Sequence, residues 1–167
     1  ETNKTFNIGL DFGLFKNRLN GTLEYYIRLA ADQFYDVPVD PSGSGFTVVP
    51  SNFGDLRNSG VEFSLRGDVI RTTDFTWNLG ANISYNKNKI VSLPENDRIE
   101  GLTILSEGSP RNTLFLVPYA GVDPVIGNAL YRKLDGTITP DFDRNDKVKM
   151  GTSDAPWTGG FNTRFTY

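Results

Sequence analysis

The chain has 167 residues, of which 38% are hydrophobic and 13% aromatic, and its formal net charge is −3. That length suits one ordinary domain, and the scattered Lys and Arg form no basic stripe for nucleic acid. Cys and His are both absent, which excludes disulfides, thiolate sites and the commonest acid–base side chain. No apolar run reaches the roughly 18 residues of a transmembrane helix, so any membrane crossing would use strands.

Five segments alternate apolar and polar residues, which predicts strands with one apolar and one polar face. They cover about residues 5–15, 19–29, 58–70, 75–87 and 159–167. In the fourth, Trp77, Leu79 and Ile83 share one parity, whereas Asn78 and Asn82 occupy the other. Several segments reach about ten residues, which is enough for a tilted strand to cross a bilayer.

The connections between these segments alternate in length. Short polar turns occupy about residues 16–18 and 71–74, and we expect long loops over about 30–57 and 88–158. Bacterial outer-membrane barrels sort their connections in this way, with short periplasmic turns and long extracellular loops. The sequence therefore predicts an all-β fold: antiparallel up-and-down strands that form part of a large transmembrane barrel.

A soluble extracellular β-sandwich that binds carbohydrate is the main alternative, because its strands also alternate. An adhesin-like or structural sheet is a third possibility. A barrel segment should expose Phe12, Leu23, Phe63 and Leu79 on one continuous face, whereas a sandwich should bury them under a second sheet. The chain begins at Glu1 without Met or an export signal, so we expect it to be part of a longer protein.

An ordered set of short runs resembles the C-terminal barrel half of the SusC/RagA family of TonB-dependent outer-membrane receptors. The runs are residues 17–26, 58–63, 75–77, 82–89, 121–128 with Tyr131, and 156–161. Together they span nearly the whole chain, and their order carries the resemblance.

The resemblance implies a 22-stranded barrel in the bacterial outer membrane, filled by an N-terminal plug. It also implies a SusD-like surface lipoprotein as a lid and a TonB complex that supplies energy through an N-terminal region outside this chain. The imported ligand would be an oligosaccharide or peptide fragment, and the apolar face would contact outer-membrane lipid. Five strands alone could neither close such a barrel nor transport.

Two sets of residues are candidates for ligand handling. The polar parity of the strands predicts a group that faces a water-filled lumen: Glu24, Arg28, Glu62, Arg66, Asn78 and Asn82. Aromatic residues in the predicted loops could stack on sugars or contact a lid protein: Tyr35, Tyr119, Tyr131 and Trp157. The alternative for each aromatic residue is packing between loops.

The loop residues Asp141, Asp143 and Asn145 match the first three oxygen ligands of a calcium loop. The match stops there, because Asp146 replaces the usual Gly and Thr152 replaces the usual Glu. An acidic turn-forming loop is the alternative to a Ca²⁺ site. Carboxylate pairs such as Glu95 and Asp97 are not positioned for catalysis by anything in the sequence, so we expect no catalytic residues, no cofactor beyond that possible ion, and no enzyme.

Overall fold

The computed structural model describes residues 2–93 and 97–167, with backbone alone at 34–38, 44 and 51–53. Twelve strands lie in the described residues, with one short helix, α1 (Pro41–Ser44), and a 3-10 turn at Arg144–Asp146. The strands are β1 (Thr2–Leu14), β2 (Leu19–Pro38), β3 (Val48–Arg71), β4 (Thr76–Ser92), β5 (Arg98–Glu100), β6 (Thr103–Leu105), β7 (Thr113–Leu116), β8 (Tyr119–Val122), β9 (Ala129–Arg132), β10 (Ile138–Thr139), β11 (Val148–Thr152) and β12 (Trp157–Thr166).

The main sheet is antiparallel and has the strand order β1-β2-β3-β4-β12. Its register places Leu10, Leu23, Phe63 and Ile83 side by side across β1 to β4. Because side chains alternate along each strand, residues of the same parity as this row share one face. That face, called the apolar face below, also carries Phe12 and Leu79.

No second layer covers the apolar face within the described residues. Leu10 is 62% exposed and Phe161 is 70% exposed, although both lie in the middle of long strands. Burying such side chains against a second sheet is what stabilises a sandwich. The prediction of an all-β antiparallel barrel wall is confirmed, and the β-sandwich alternative is wrong.

The predicted long loop over residues 30–57 is wrong in extent. β2 continues to Pro38 and β3 begins at Val48, so only residues 39–47 connect them. The alternation fails there because the ladder is interrupted by register shifts near Asp32, with φ of 54°, and Gly54, with φ of 113°. A bulge adds an unpaired residue, which breaks the two-residue period while pairing resumes beyond it.

The predicted long loop over residues 88–158 is also shorter than expected. β4 runs to Ser92 and β12 begins at Trp157, and the described residues 97–156 between them are called the excursion. The excursion contains two small sheets, with strand orders β11-β7-β6-β5 and β10-β9-β8. Short strands of two to five residues with little alternation leave no clear periodic signal.

A small hydrophobic core joins the excursion to the main sheet. Leu56 of β3 and Ile90 of β4 are register partners, and both pack in one cluster with Leu105 of β6. Ile90 is fully buried, and its backbone N–H donates to the Ser109 carbonyl over 2.9 Å. The excursion is therefore packed and hydrogen-bonded onto the sheet at the end opposite the short turns.

We expect Gly54→Ala to lower the free energy of unfolding by about 1–3 kcal/mol, because φ of 113° disfavours any side chain. An added Cβ would also collide with the Ser92 carbonyl group. Thermal unfolding of the detergent-solubilised protein measures the change.

Gly43→Ala is the matched control, since an added Cβ at Gly43 meets nothing within 4 Å. Its midpoint should stay near that of the unmodified protein. Equal midpoints for the two variants would contradict the close approach of β3 to the end of β4.

Candidate functional site on the polar face of the main sheet

The opposite side of the main sheet, called the polar face below, carries all six residues predicted to face a lumen. Glu24 lies opposite Glu62, and Asn82 lies opposite Ser64. The other three positions follow from the same register, with Arg28 beside Asn58, Arg66 beside Gly80 and Asn78 beside Asp68. The register shows that these six residues share one face, whereas their contact with a lumen remains a prediction.

The centre of the polar face forms an open depression of about 400 Å³. Its polar lining comes from four strands and consists of Thr22, Glu24, Glu62, Ser64, Asn82, Ser84 and Thr158. The Thr22 and Ser64 hydroxyls are 2.6 Å apart, and the Ser84 and Thr158 hydroxyls are also 2.6 Å apart. Paired hydroxyls and facing carboxylates offer a ligand many hydrogen-bonding groups.

Sequence reasoning named only three of these depression residues. It missed the hydroxyl residues because Ser and Thr are common on any polar strand face and carry no motif. Their parity with Glu24 and Glu62 was the available signal, since same-parity residues on paired strands must share a face.

Near the short turns, a hydrogen-bonded network fixes two of the predicted residues. Arg66 Nε donates to Asn78 Oδ1 over 2.9 Å, and Asn78 Nδ2 donates to Asp68 Oδ1 over 2.8 Å. Asn78 is 8% exposed, and Arg71 lies 3.7 Å from the Asp68 carboxylate. An amide is suited to this position because it can accept from the guanidinium and donate to the carboxylate at once.

Closer to the excursion, amide and aromatic groups continue the polar face. Asn88 Nδ2 donates to Asn58 Oδ1 over 2.8 Å, and Asn88 Oδ1 accepts the Arg111 backbone N–H over 2.8 Å. Arg28 lies over the Tyr26 ring at 5.1 Å from its centroid. This cation–π geometry holds a positive charge beside an aromatic surface.

The excursion covers the outer end of this same face. Leu56 and Ile90 have the parity of Glu62 and Asn82, so the core that they form with Leu105 lies on the polar side of the sheet. At this end of the sheet, the polar face is therefore covered by the excursion, whereas no described residues cover the apolar face. The excursion therefore lies at one end of the face that carries the polar depression.

The aromatic candidates occupy different surroundings. Tyr119 of β8 is 61% exposed and is the register partner of Tyr131 in β9, whose ring meets Phe142 edge-on at 5.2 Å. Tyr35 pairs through its backbone with Ser51, and its side chain lies outside the described residues.

Trp157 is not a loop residue, contrary to the prediction. It is the first residue of β12, lies on the apolar face and packs 4.7 Å from the Tyr85 ring. The sequence placed it in a loop because the preceding Pro156 and following Gly159 weaken the strand pattern. Its position argues for a membrane-interface contact and against ligand stacking.

The acidic loop uses its carboxylates to cap turns. Asp143 Oδ1 accepts the Asn145 N–H over 2.9 Å, and Asp141 Oδ2 accepts the Thr139 hydroxyl over 3.5 Å. Asp146 accepts the Leu134 N–H over 3.1 Å. These bonds account for the acidic residues as turn formers.

Calcium binding by Asp141, Asp143 and Asn145 stays a prediction. Within residues 2–93 and 97–167, no three carboxylates cluster closely enough to hold a metal ion. Elsewhere in the excursion, hydrogen bonds from the Thr137 hydroxyl and N–H lower the pKa of Asp135 below its ordinary value. Glu95, considered above with Asp97, lies outside the described residues.

The helices in the described part of the chain are too short and polar to span a membrane. The family of TonB-dependent receptor-like β-barrels matches residues 1–166 through its sequence model. The chain belongs to this family. The resemblance to SusC/RagA receptors is confirmed by the relatives described next.

Two TonB-dependent receptors of Formosa agariphila are similar to this receptor chain. One is 33% identical over 140 residues, which cover 83% of the chain and 13% of that relative. The other is 32% identical in an alignment that covers 100% of the chain and 19% of that relative. The TonB-dependent receptor SusC of Bacteroides thetaiotaomicron is 40% identical over 58% of the chain and 10% of SusC.

Solved structures of the RagAB peptide importer share the fold. The closed-closed state superposes with a TM-score of 0.87 at 29% identity, covering 99% of this chain and 19% of the RagAB chain. The open-open state gives 0.85 at the same identity and coverage. The receptor chain thus spans less than a fifth of the relatives and structures that it matches.

We expect Asn78→Leu in the whole receptor to lower the free energy of unfolding by about 1–3 kcal/mol, since Arg66 and Asp68 would lose their shared partner. Thermal unfolding in detergent micelles is the measurement.

Asn82→Leu is the matched control because Asn82 lies on the same strand and face but is exposed. It should change the midpoint much less than Asn78→Leu does. A larger loss for Asn82→Leu would contradict a structural role for the amide network.

Proposed function

We propose that this chain forms part of the wall of an outer-membrane importer that takes up peptide or glycan fragments. The observation that carries the proposal is the two-sided sheet, with an exposed apolar face and a continuous polar face across five strands. Hydrocarbon tolerates strands only where their backbone groups are paired and their outward side chains are apolar. The polar face then lines an aqueous lumen.

The aromatic residues support this placement in a membrane. Trp77 packs on Phe165 near the short turns, and Tyr85 packs on Trp157 at the other end of the same face. Trp77 and Tyr85 are eight positions apart, or about 27 Å along an extended strand. A tilt of about 35–45° reduces that span to roughly 20 Å, comparable with the apolar band between aromatic girdles.

In this account the polar face guides the ligand. Glu24, Glu62 and Asn82 contact fragments within the depression, while Arg28 acts nearer the excursion. Arg66 and Asn78 shape the wall towards the short turns. Ligand is captured at the excursion and passes the plug along this polar surface.

Two ligand classes fit the polar chemistry. Facing carboxylates and amides can bind the N–H and C=O groups of an extended peptide, and the similarity to the RagAB peptide importer supports that class. Sugar rings would instead use the exposed face of Tyr119 for stacking and the same polar groups for hydroxyls. Import of either class requires no covalent bond to be made or broken. This agrees with the receptors and the importer among the proteins similar to this chain.

The whole receptor works with two partners. A SusD-like lipoprotein closes over the excursion, where Tyr119, Val122 and Ile126 are exposed. The TonB complex supplies energy through N-terminal regions beyond this section of the barrel. The match to the family of TonB-dependent receptor-like barrels supports the TonB complex. The similarity to SusC and to the RagAB importer supports the lipoprotein.

Deletion of the receptor gene followed by complementation tests import. Cells should be supplied separately with labelled peptide fragments and labelled oligosaccharides, and uptake of one class should fall on deletion and return with the intact gene. Undiminished uptake and growth on both classes after deletion would contradict the proposed function.

Within the excursion, we expect Tyr119→Ala to weaken binding of the ligand or the lipoprotein several-fold, because it removes an exposed ring. Binding to the purified receptor is measured by calorimetry with each partner.

Leu134→Ala is the control, since Leu134 is 65% exposed in the β9–β10 turn, away from the β8–β9 residues proposed to meet the lipoprotein. Its affinities should match those of the unmodified receptor. Unchanged binding of both partners by Tyr119→Ala would remove Tyr119 from the set of contact residues.

A further inference from the structure

The charged residues on the apolar face of the main sheet are mostly cations. Within the described strands, the charged residues with the parity of this face are Asp55 and four cations: Lys4, Arg57, Lys87 and Lys89. These four cations are called the basic row below. The polar face, in contrast, mixes Glu24 and Glu62 with Arg28 and Arg66. Side-chain parity therefore separates a mainly cationic set from an evenly mixed one.

Strand register brings the basic row together. Lys4 pairs with Leu29, Leu29 with Arg57, and Arg57 with Lys89, while Lys87 lies two positions from Lys89 on the same strand. Adjacent strands are about 4.8 Å apart and two residues advance about 6.7 Å, so the four Cα atoms fall within roughly 15–20 Å. That spacing matches a patch that one or two anionic headgroups could span.

The basic row lies beyond the aromatic residues at the excursion end. Lys87 and Lys89 follow Tyr85 by two and four positions, which is about 7 and 13 Å along the strand. With a tilt of about 35–45°, these distances become roughly 5 and 10 Å along the membrane normal. Headgroups lie at this depth, just outside the hydrocarbon boundary that Tyr85 and Trp157 mark.

Within the described residues, no ion pair joins a carboxylate to these cations, although Asp55 lies two positions from Arg57 on the same face. Ion pairs in the described part of the chain join Arg71 to Asp68, Arg98 to Glu100 and Lys149 to Asp97, and none includes the basic row. Lys4, Arg57 and Lys87 are exposed, and Lys89 is half-buried with its alkyl stem near Gly108. Uncompensated cations beside a lipid-facing surface attract anionic headgroups.

The other end of the apolar face lacks such a row. Leu14, Trp77 and Phe165 occupy that end, and no Lys or Arg of this parity lies beside them in the described strands. A general preference for any membrane surface would place cations at both ends. Lys16 and Arg18 lie in the turn beyond Leu14, so the one-sided distribution that fits an anionic ligand in one leaflet is that of the strand positions.

We propose that Lys4, Arg57, Lys87 and Lys89 bind phosphate groups on glycolipid headgroups of the outer leaflet. Arg57 supplies a planar fork for two phosphate oxygens, and the three ammonium groups act as flexible point charges. The inference rests on the orientation of the sheet in the membrane and is independent of the imported ligand. The basic row anchors the barrel wall laterally, next to the excursion.

Native mass spectrometry of the whole receptor in neutral detergent tests the proposal with diphosphoryl lipid A as the probe. A variant with Lys4→Gln, Arg57→Gln, Lys87→Gln and Lys89→Gln should retain at least tenfold less lipid A than the unmodified receptor. Dephosphorylated lipid A should bind both proteins equally weakly, and inorganic phosphate at equal concentration should not displace the lipid.

The charge-matched control replaces four other cations, Lys16, Lys133, Arg144 and Lys147, by Gln and should retain lipid A like the unmodified receptor. Thermal midpoints of all proteins check folding, and the single variants Arg57→Gln and Lys87→Gln provide a second series if the fourfold variant is unstable. Equal retention by the basic-row variants and the control would overturn the proposal. Displacement by inorganic phosphate, or equal binding of dephosphorylated lipid, would overturn it as well.

Discussion

Backbone pairing in strict register is the constraint on which the rest of this structure depends. A strand in hydrocarbon must direct each N–H and C=O to a neighbouring strand, because no water is available to satisfy them. Once β1 to β4 and β12 are paired, the two-residue period assigns every side chain to one of two faces. The apolar face, the polar depression and the basic row all follow from that single assignment. A shift of one residue would exchange the faces and place Glu62 against lipid.

At the end of the sheet next to the excursion, the two faces carry different structures. On the polar side, Leu56 and Ile90 break the polar pattern and form a core with Leu105, which holds the excursion against the polar face. On the apolar side, the aromatic contact of Tyr85 with Trp157 gives way to Lys87 and Lys89. The same strand therefore secures the excursion on one side and carries two residues of the basic row on the other. In these proposals β4 contributes residues both to the import surface and to the membrane anchor.

Much of the fold could be predicted from the sequence where alternation is regular. The parity of Glu24, Glu62 and Asn82 followed directly from the two-residue period, and so did the exposed apolar face. The extent of β2 and β3 could not be predicted, because bulges near Asp32 and Gly54 break the period while pairing continues. The short strands of the excursion were missed because segments of two to five residues leave no clear period, and β6 is held by the packing of Leu105 on Ile90. Trp157 was misplaced for a related reason, since neighbouring Pro and Gly hid the start of β12.

Alternating accessibility along one strand tests the central claim most directly, and the absence of Cys from this chain makes single cysteines informative. Cysteines placed singly at Ala81, Asn82, Ile83 and Ser84 of the whole receptor in lipid bilayers should react in turn with two reagents. A charged, water-soluble maleimide should label positions 82 and 84, and a lipid-soluble maleimide should label 81 and 83. Labelling of all four positions by the charged reagent, or the reverse alternation, would contradict a wall with lipid on its apolar face and water on its polar face.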